Sequence, residues 1–163
     1  MSARESVGEG IADEASDGSN ATRRARLRDA ITAAVALVGL ADALYLTVEH
    51  LSGRSVICIA TTGCDKVLQS DYATLPGDLP LAALGALAYF TVFSLATLSA
   101  FGYRAARPLL TTVVALMFAS TLWLLYLQAF VLKAFCSYCL LSAAVTTTLL
   151  ALVLARRFLT RRD

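Results

Sequence analysis

The run Phe135-Cys136-Ser137-Tyr138-Cys139-Leu140-Leu141-Ser142-Ala143 continues to Ala155 without a charged residue. From Cys136 to Ala155 it gives 20 residues, about the length a helix needs to cross the hydrocarbon of a bilayer. A Cys-x-x-Cys pair opens the run. The segments before it repeat the pattern. Leu109 to Leu132 is a second apolar run, preceded by Pro108, and Leu79 to Phe101 is a third, with Pro80 where a helix start accepts proline. Ala30 to His50 is the fourth. Loops of 7 residues (102–108) and 3 residues (133–135) make the last two connections tight antiparallel hairpins, whereas 28 residues (51–78) separate the first two spans.

The expected fold is therefore all-α, an integral-membrane four-helix bundle over 30–155 with helices at 30–50, 79–101, 109–132 and 136–155. Residues 1–29 read as a flexible tail, too poor in apolar side chains to order themselves, and 156–163 as a short basic tail. Composition agrees: 58% of the 163 residues are hydrophobic, 16% are charged and the mean hydropathy is +0.67, where soluble domains carry about 25% charged residues. A net charge of +2 offers no field for nucleic acid. The first span is longer than the apolar core of a signal peptide and follows a long leader, so it reads as an uncleaved helix.

Lysine and arginine collect on cytoplasmic flanks. Five lie in the N-terminal tail (Arg4, Arg23, Arg24, Arg26, Arg28), two in the 102–108 loop (Arg104, Arg107) and four in the C-terminal tail (Arg156, Arg157, Arg161, Arg162). Only Arg54, Lys66 and Lys133 lie on the other side. Both termini are expected in the cytoplasm of a multi-pass cell-membrane protein, with the 51–78 and 133–135 connections outside.

All four cysteines, Cys58, Cys64, Cys136 and Cys139, then fall on the external side, where thiols become disulfides. An even number there reads as two pairs. The Cys136/Cys139 pair opens a helix whose N-terminus stabilises a thiolate, and Lys133 stands nearby. The Cys58/Cys64 pair lies in a loop with Thr61, Thr62 and Gly63, able to close on itself or to reach elsewhere. A structural zinc fits poorly, because the first spacing is too long for a zinc knuckle and the second pair begins a membrane helix; no metal is expected. Plain structural staples are the other bland alternative. Redox exchange accounts for more of the pattern, since one pair has the exchange spacing and electrons pass only between sulfurs in contact. Cys139 lies one helical turn deeper than Cys136, where a lipid-soluble two-electron acceptor such as a quinone can meet it. Nothing in the chain resembles a Gly-x-Gly-x-x-Gly cradle for a nicotinamide.

These residues resemble a known family. Cys64-Asp-Lys-Val-Leu-Gln-Ser70-Asp-Tyr-Ala, Leu79-Pro-Leu-Ala-Ala-Leu-Gly85, Phe135-Cys-Ser-Tyr-Cys139-Leu-Leu-Ser-Ala and, in part, Gly39 to Tyr45 look like the bacterial branch of the vitamin K epoxide reductase family, over about 30–155. The resemblance implies a bundle around a quinone (menaquinone or ubiquinone), with the external loop and a short helix capping the site between the first two spans. It implies that Cys58 meets an exported thioredoxin-like (DsbA-like) partner, that Cys64 relays to Cys136, and that Cys139 faces the quinone. Ser70 matches a serine near that pocket. The outcome would be disulfide formation in exported proteins. No fused thioredoxin-like domain is expected, so the partner would be a separate protein.

Three positions depart from the family pattern: Ala43 replaces a first-helix serine, Ala143 a tyrosine of vertebrate members, and Leu81 their pocket asparagine. These weaken vitamin K epoxide reduction as the main task. The disulfide bond formation protein B type runs the same reaction but carries its two cysteine pairs in the opposite order. A non-enzymatic four-span protein braced by disulfides is the reading from another class. Gln128 is a candidate hydrogen-bond donor to a quinone carbonyl, and Asp42, mid-span, a candidate proton carrier. Glu49 and His50 read as interfacial polar residues, Trp123 and Tyr126 as packing or interface aromatics.

Overall fold

The computed structural model describes residues 2–53, 64–68, 74–75 and 79–160, with the side chains of 22–53, 64, 66, 67 and 80–158. Helix α1 runs Ser2–Leu51, α2 is the short helix Cys64–Leu68, α3 runs Leu81–Ala100, α4 runs Ala106–Tyr126, and α5 runs Ser137–Thr160. Helix α4 continues as a π-helical turn, Leu127–Leu132. Two-residue strands β1 (Thr74–Leu75) and β2 (Leu79–Pro80) pair antiparallel, Thr74 opposite Pro80 and Leu75 opposite Leu79. Four segments are long and apolar enough to cross a membrane: Thr22–Leu51, Leu81–Ala100, Ala106–Leu132 and Ser137–Phe158. The all-α four-span architecture is thus present.

Local chemistry sets the helix ends. Helix α1 stops at Gly53, whose φ of +63° is left-handed, with Ser52 N–H donating to the Val48 carbonyl at 2.9 Å. Helix α3 begins directly after Pro80, and it ends in a Schellman turn. There Gly102 (φ +96°) donates to Ser99 O at 3.0 Å and Tyr103 N–H to Leu98 O at 3.2 Å. Helix α4 starts at Ala106, three residues before the expected 109. Pro108 sits inside its first turn, where an N–H has no partner to lose. At the other extreme, α1 continues helical from Ala30 back to Ser2, where a flexible tail over 1–29 was expected. Alanine, glutamate and arginine in this stretch are good helix formers without any core to bury. Asp29, assigned to that tail, is only 3% exposed and belongs to the packed bundle.

The core is built from small side chains. Ala36 and Ala43 of α1, Ala86, Tyr89, Val92 and Ala96 of α3, Leu110 and Val114 of α4, and Val145, Leu149 and Val153 of α5 form one buried cluster. Small residues let membrane helices approach closely where no hydrophobic drive separates them from lipid. The large apolar side chains face outward instead: Val38, Leu44, Leu84, Leu87, Phe90, Leu116 and Leu122 are all exposed. Two polar ties cross the helices. At the end carrying the chain termini, Arg156 of α5 pairs with Asp29 of α1, and both bond Ser99 of α3 (2.8 Å from Arg156 Nη1, 3.2 Å to Asp29 Oδ2). Nearer the middle, the Tyr89 hydroxyl meets Ser142 Oγ at 2.7 Å, Thr146 Oγ1 at 3.0 Å and the Ser142 carbonyl at 3.1 Å. The cysteines lie at the end opposite Asp29.

Candidate active site

The site begins where α4 ends. The π-helical turn Leu127–Leu132 widens the helix just before the chain reverses, and such turns cluster at functional positions. Lys133 closes it in the left-handed region (φ 48°, ψ 39°), with its N–H and that of Ala134 both directed at the Gln128 carbonyl. The side chain of Gln128, 3% exposed, is thereby turned toward the start of α5. Its Oε1 accepts the backbone N–H of Cys136 at 3.2 Å, and the same amide hydrogen-bonds Cys139. One glutamine thus grips both ends of the Cys-x-x-Cys.

Cys136 and Cys139 are free thiols, Cys136 fully buried and Cys139 partly so. A hydrogen bond from the Cys139 thiol pulls the Cys136 thiol down to about 7 against the cost of burial, helped by the backbone N–H groups of Cys139 and Tyr138. This is the helix N-terminus acting on a thiolate, as the sequence implied. Lys133, expected to contribute, is exposed, and the lowering comes from these hydrogen bonds instead.

Cys64, the first residue of α2, is 1% exposed and disulfide-bonded, to a partner outside the described residues. It forms one buried cluster with Val67 and Cys136, against which Leu132, Ala134, Tyr138 and Cys139 pack. The first loop's cysteine and the first cysteine of the Cys-x-x-Cys are therefore neighbours, although 71 positions separate them in the chain (Cys64 and Cys136). Cys58 and Ser70 lie outside the described residues.

Beneath this cluster is a cavity of about 160 Å³, enclosed by all four spans. Cys139 and Ser142 line it from α5, Asp42, Ala43, Leu46 and His50 from α1, Leu81, Gly85 and Tyr89 from α3, Gln128 and several leucines from the α4 side, and Val67 of α2 closes it. An apolar cavity of about 150 Å³ takes a benzene ring, so the space fits the ring of a quinone, with Gln128, Ser142 and Asp42 as its few polar atoms. Ala43 and Leu81, two of the three departures from the family pattern, both face this space and make it more apolar. Asp42 is 9% exposed and, among the described residues, has no hydrogen-bond or ion-pair partner. Trp123, Tyr126 and Phe130 do not line the cavity. They stack in sequence along the outside of α4 (6.0 and 4.9 Å between ring centroids) and are all more than half exposed, the place of an aromatic membrane-interface belt.

Against known families, residues 30–154 match the model of the vitamin K epoxide reductase family. The chain belongs to the vitamin K epoxide reductase family. Membership makes it a multi-pass membrane oxidoreductase, and the four spans, the buried Cys64–Cys136 contact and the cavity beside Cys139 are the parts such an enzyme needs. Sequence reasoning found the cysteines and Gln128 but missed the Tyr89–Ser142–Thr146 knot behind the cavity. A buried tyrosine in a span facing a Ser-x-x-x-Thr pair one turn below the Cys-x-x-Cys was the available signal.

Proposed function

We propose that this family member is a quinone-linked thiol oxidoreductase that makes disulfides for exported proteins. The observation that carries the reading is the line of sulfur from the loop to the cavity: Cys64 packed on Cys136, and Cys139 on the cavity wall. In the forward direction an exported thioredoxin-like (DsbA-like) dithiol attacks the loop disulfide at Cys58. Cys64 leaves as a thiolate, and the partner departs as a disulfide. The loop dithiol, through Cys64, then reduces a Cys136–Cys139 disulfide, regenerating its own. A membrane quinone, menaquinone or ubiquinone, accepts the two electrons and two protons of the resulting Cys136/Cys139 dithiol. Balance is complete: one dithiol is oxidised for each quinone reduced to quinol.

The chain's own residues have separable tasks. Cys136, poised near 7, is thiolate for much of the time at neutral pH, so a proton must wait elsewhere. Asp42, buried on the same cavity without a partner, is the group to hold it, and His50 lies on the route to solvent. Gln128 keeps Cys136 and Cys139 in register. The basic bias of the flanks supports an orientation with both termini in the cytoplasm and the cysteines outside.

The test adds purified protein to a reduced dithiol carrier and follows quinone absorbance. Cys139→Ala is expected to abolish quinone reduction, and retained activity would sink the mechanism. Cys64→Ser should trap a mixed disulfide between Cys58 and the carrier on non-reducing gels. Trapping by Cys58→Ser instead would exchange the two loop roles.

A further inference from the structure

A second cavity, of about 230 Å³, opens at the end of the bundle that carries both chain termini, remote from the cysteines. Helices α1, α4 and α5 form its walls, and the guanidinium groups of Arg28, Arg107, Arg156 and Arg157 line it against a single carboxylate, Asp29. Asp29 is already engaged by Arg156 and Ser99. The two threonines at the rim are occupied as well, Thr32 donating to the Arg28 carbonyl at 2.9 Å and Thr111 to the Arg107 carbonyl at 3.1 Å. The polar lining left for a ligand is therefore cationic, while Leu110 and Leu152 supply an apolar floor.

We infer that this cavity binds a phosphate ester, and that the source is the headgroup of an anionic phospholipid. Three facts point the same way. Arginine forks match phosphate oxygens in pairs. Arg28 and Arg107 sit at the ends of the first and third spans and Arg157 at the end of the fourth, the depth at which lipid phosphates lie. Basic pockets between membrane helices on the positively flanked side hold such headgroups. The apolar floor continues the lipid-facing surface, so an acyl chain can leave the pocket without crossing polar ground. The site is independent of the thiol chemistry at the other end.

The test uses the full chain purified in detergent and offered equimolar dioleoyl phosphatidylglycerol and dioleoyl phosphatidylcholine, with retained lipid read by native mass spectrometry. Selective retention of about one phosphatidylglycerol is expected. Arg28→Gln, Arg107→Gln and Arg157→Gln should each weaken it about five-fold, and these exposed or half-buried side chains leave the Asp29–Arg156 pair intact. Arg24→Gln and Arg104→Gln remove the same charge from the same flank outside the cavity and should change nothing. Equal losses in all five variants would overturn the site in favour of diffuse surface attraction, as would retention without headgroup preference. Glycerol 1-phosphate at millimolar concentration separates the sources: lipid that stays bound assigns the headgroup, and displacement overturns it in favour of a soluble phosphate ester.

Discussion

Two glycines on facing helices make opposite predictions for the same substitution. A Cβ at Gly39 of α1 would lie 2.4 Å from Cε1 of Tyr89 and 2.6 Å from its Cζ, whereas one at Gly85 of α3 would meet only the Ala43 Cβ, at 3.9 Å. Tyr89 must retreat by about 1 Å to reach an ordinary contact, and its hydroxyl is held by Ser142 and Thr146 at 2.7 and 3.0 Å. Overpacking of this kind costs about 1–3 kcal/mol, and loosening one of the hydroxyl's bonds adds about 1 kcal/mol. Helix propensity returns up to about 1 kcal/mol in either position. Gly39→Ala is then expected to lose about 2 kcal/mol and Gly85→Ala to gain a few tenths to 1 kcal/mol, estimated from packing and propensity together. At about 2–4 °C per kcal/mol for a chain this size, the two variants should melt about 5–12 °C apart. Thermal unfolding in detergent, followed through the single tryptophan, Trp123, measures the gap. Shrinking the ring in Gly39→Ala/Tyr89→Leu should recover part of the loss attributable to the clash. If Gly39→Ala melts within 2 °C of Gly85→Ala, the close approach of α1 to Tyr89 is not what holds the first and second spans together.

The remaining predictions concern the thiols and the two ends of the bundle. In the reduced protein, thiolate absorbance assigned to Cys136 should rise as pH increases through about 7, and Cys139→Ala, which removes the hydrogen bond chiefly responsible, should move that rise to higher pH. Gln128→Leu leaves the buried Cys136 N–H unpaired, at a cost of about 1–3 kcal/mol. It should lower the melting temperature and slow quinone reduction while leaving the Cys64 disulfide formed, as read by thiol counting. Arg156→Leu strands the buried Asp29 carboxylate and should destabilise by about 3–5 kcal/mol. Adding Asp29→Asn should restore most of the stability, and a failure to rescue would show that Arg156 acts by some route other than its pairing with Asp29.

The four spans were legible because each is a long apolar run bounded by arginine, proline or glycine, signals with a direct physical reading. The Cys136/Cys139 pair and its helix N-terminus were legible for the same reason: spacing alone places both thiols on the first turn. Gln128 was legible only as a polar residue near the right depth. Its capping of Cys136 depends on a π-helical turn and on Lys133 adopting a left-handed backbone, and neither has a local sequence mark. Asp29 was misplaced in a flexible tail because its partners, Ser99 and Arg156, are 70 and 127 residues away. Start points of helices were also missed, at Pro108 and at Ser2, because proline and charged helix formers mark a first turn without showing how far the helix extends before it.

The π-helical turn carries a consequence for how this protein tolerates change in length. It holds one more residue per turn than an α-helix, so deleting a single residue between 127 and 132 would let the ladder return to α geometry. Everything after the deletion would then be rotated by about 100° around the helix axis, carrying Cys136 away from both Gln128 and Cys64. A point substitution at the same place would leave that alignment standing. The meeting of the two cysteine pairs is kept by a count of backbone atoms as much as by the identity of any side chain, and insertions or deletions in this stretch should be far less forgivable than replacements.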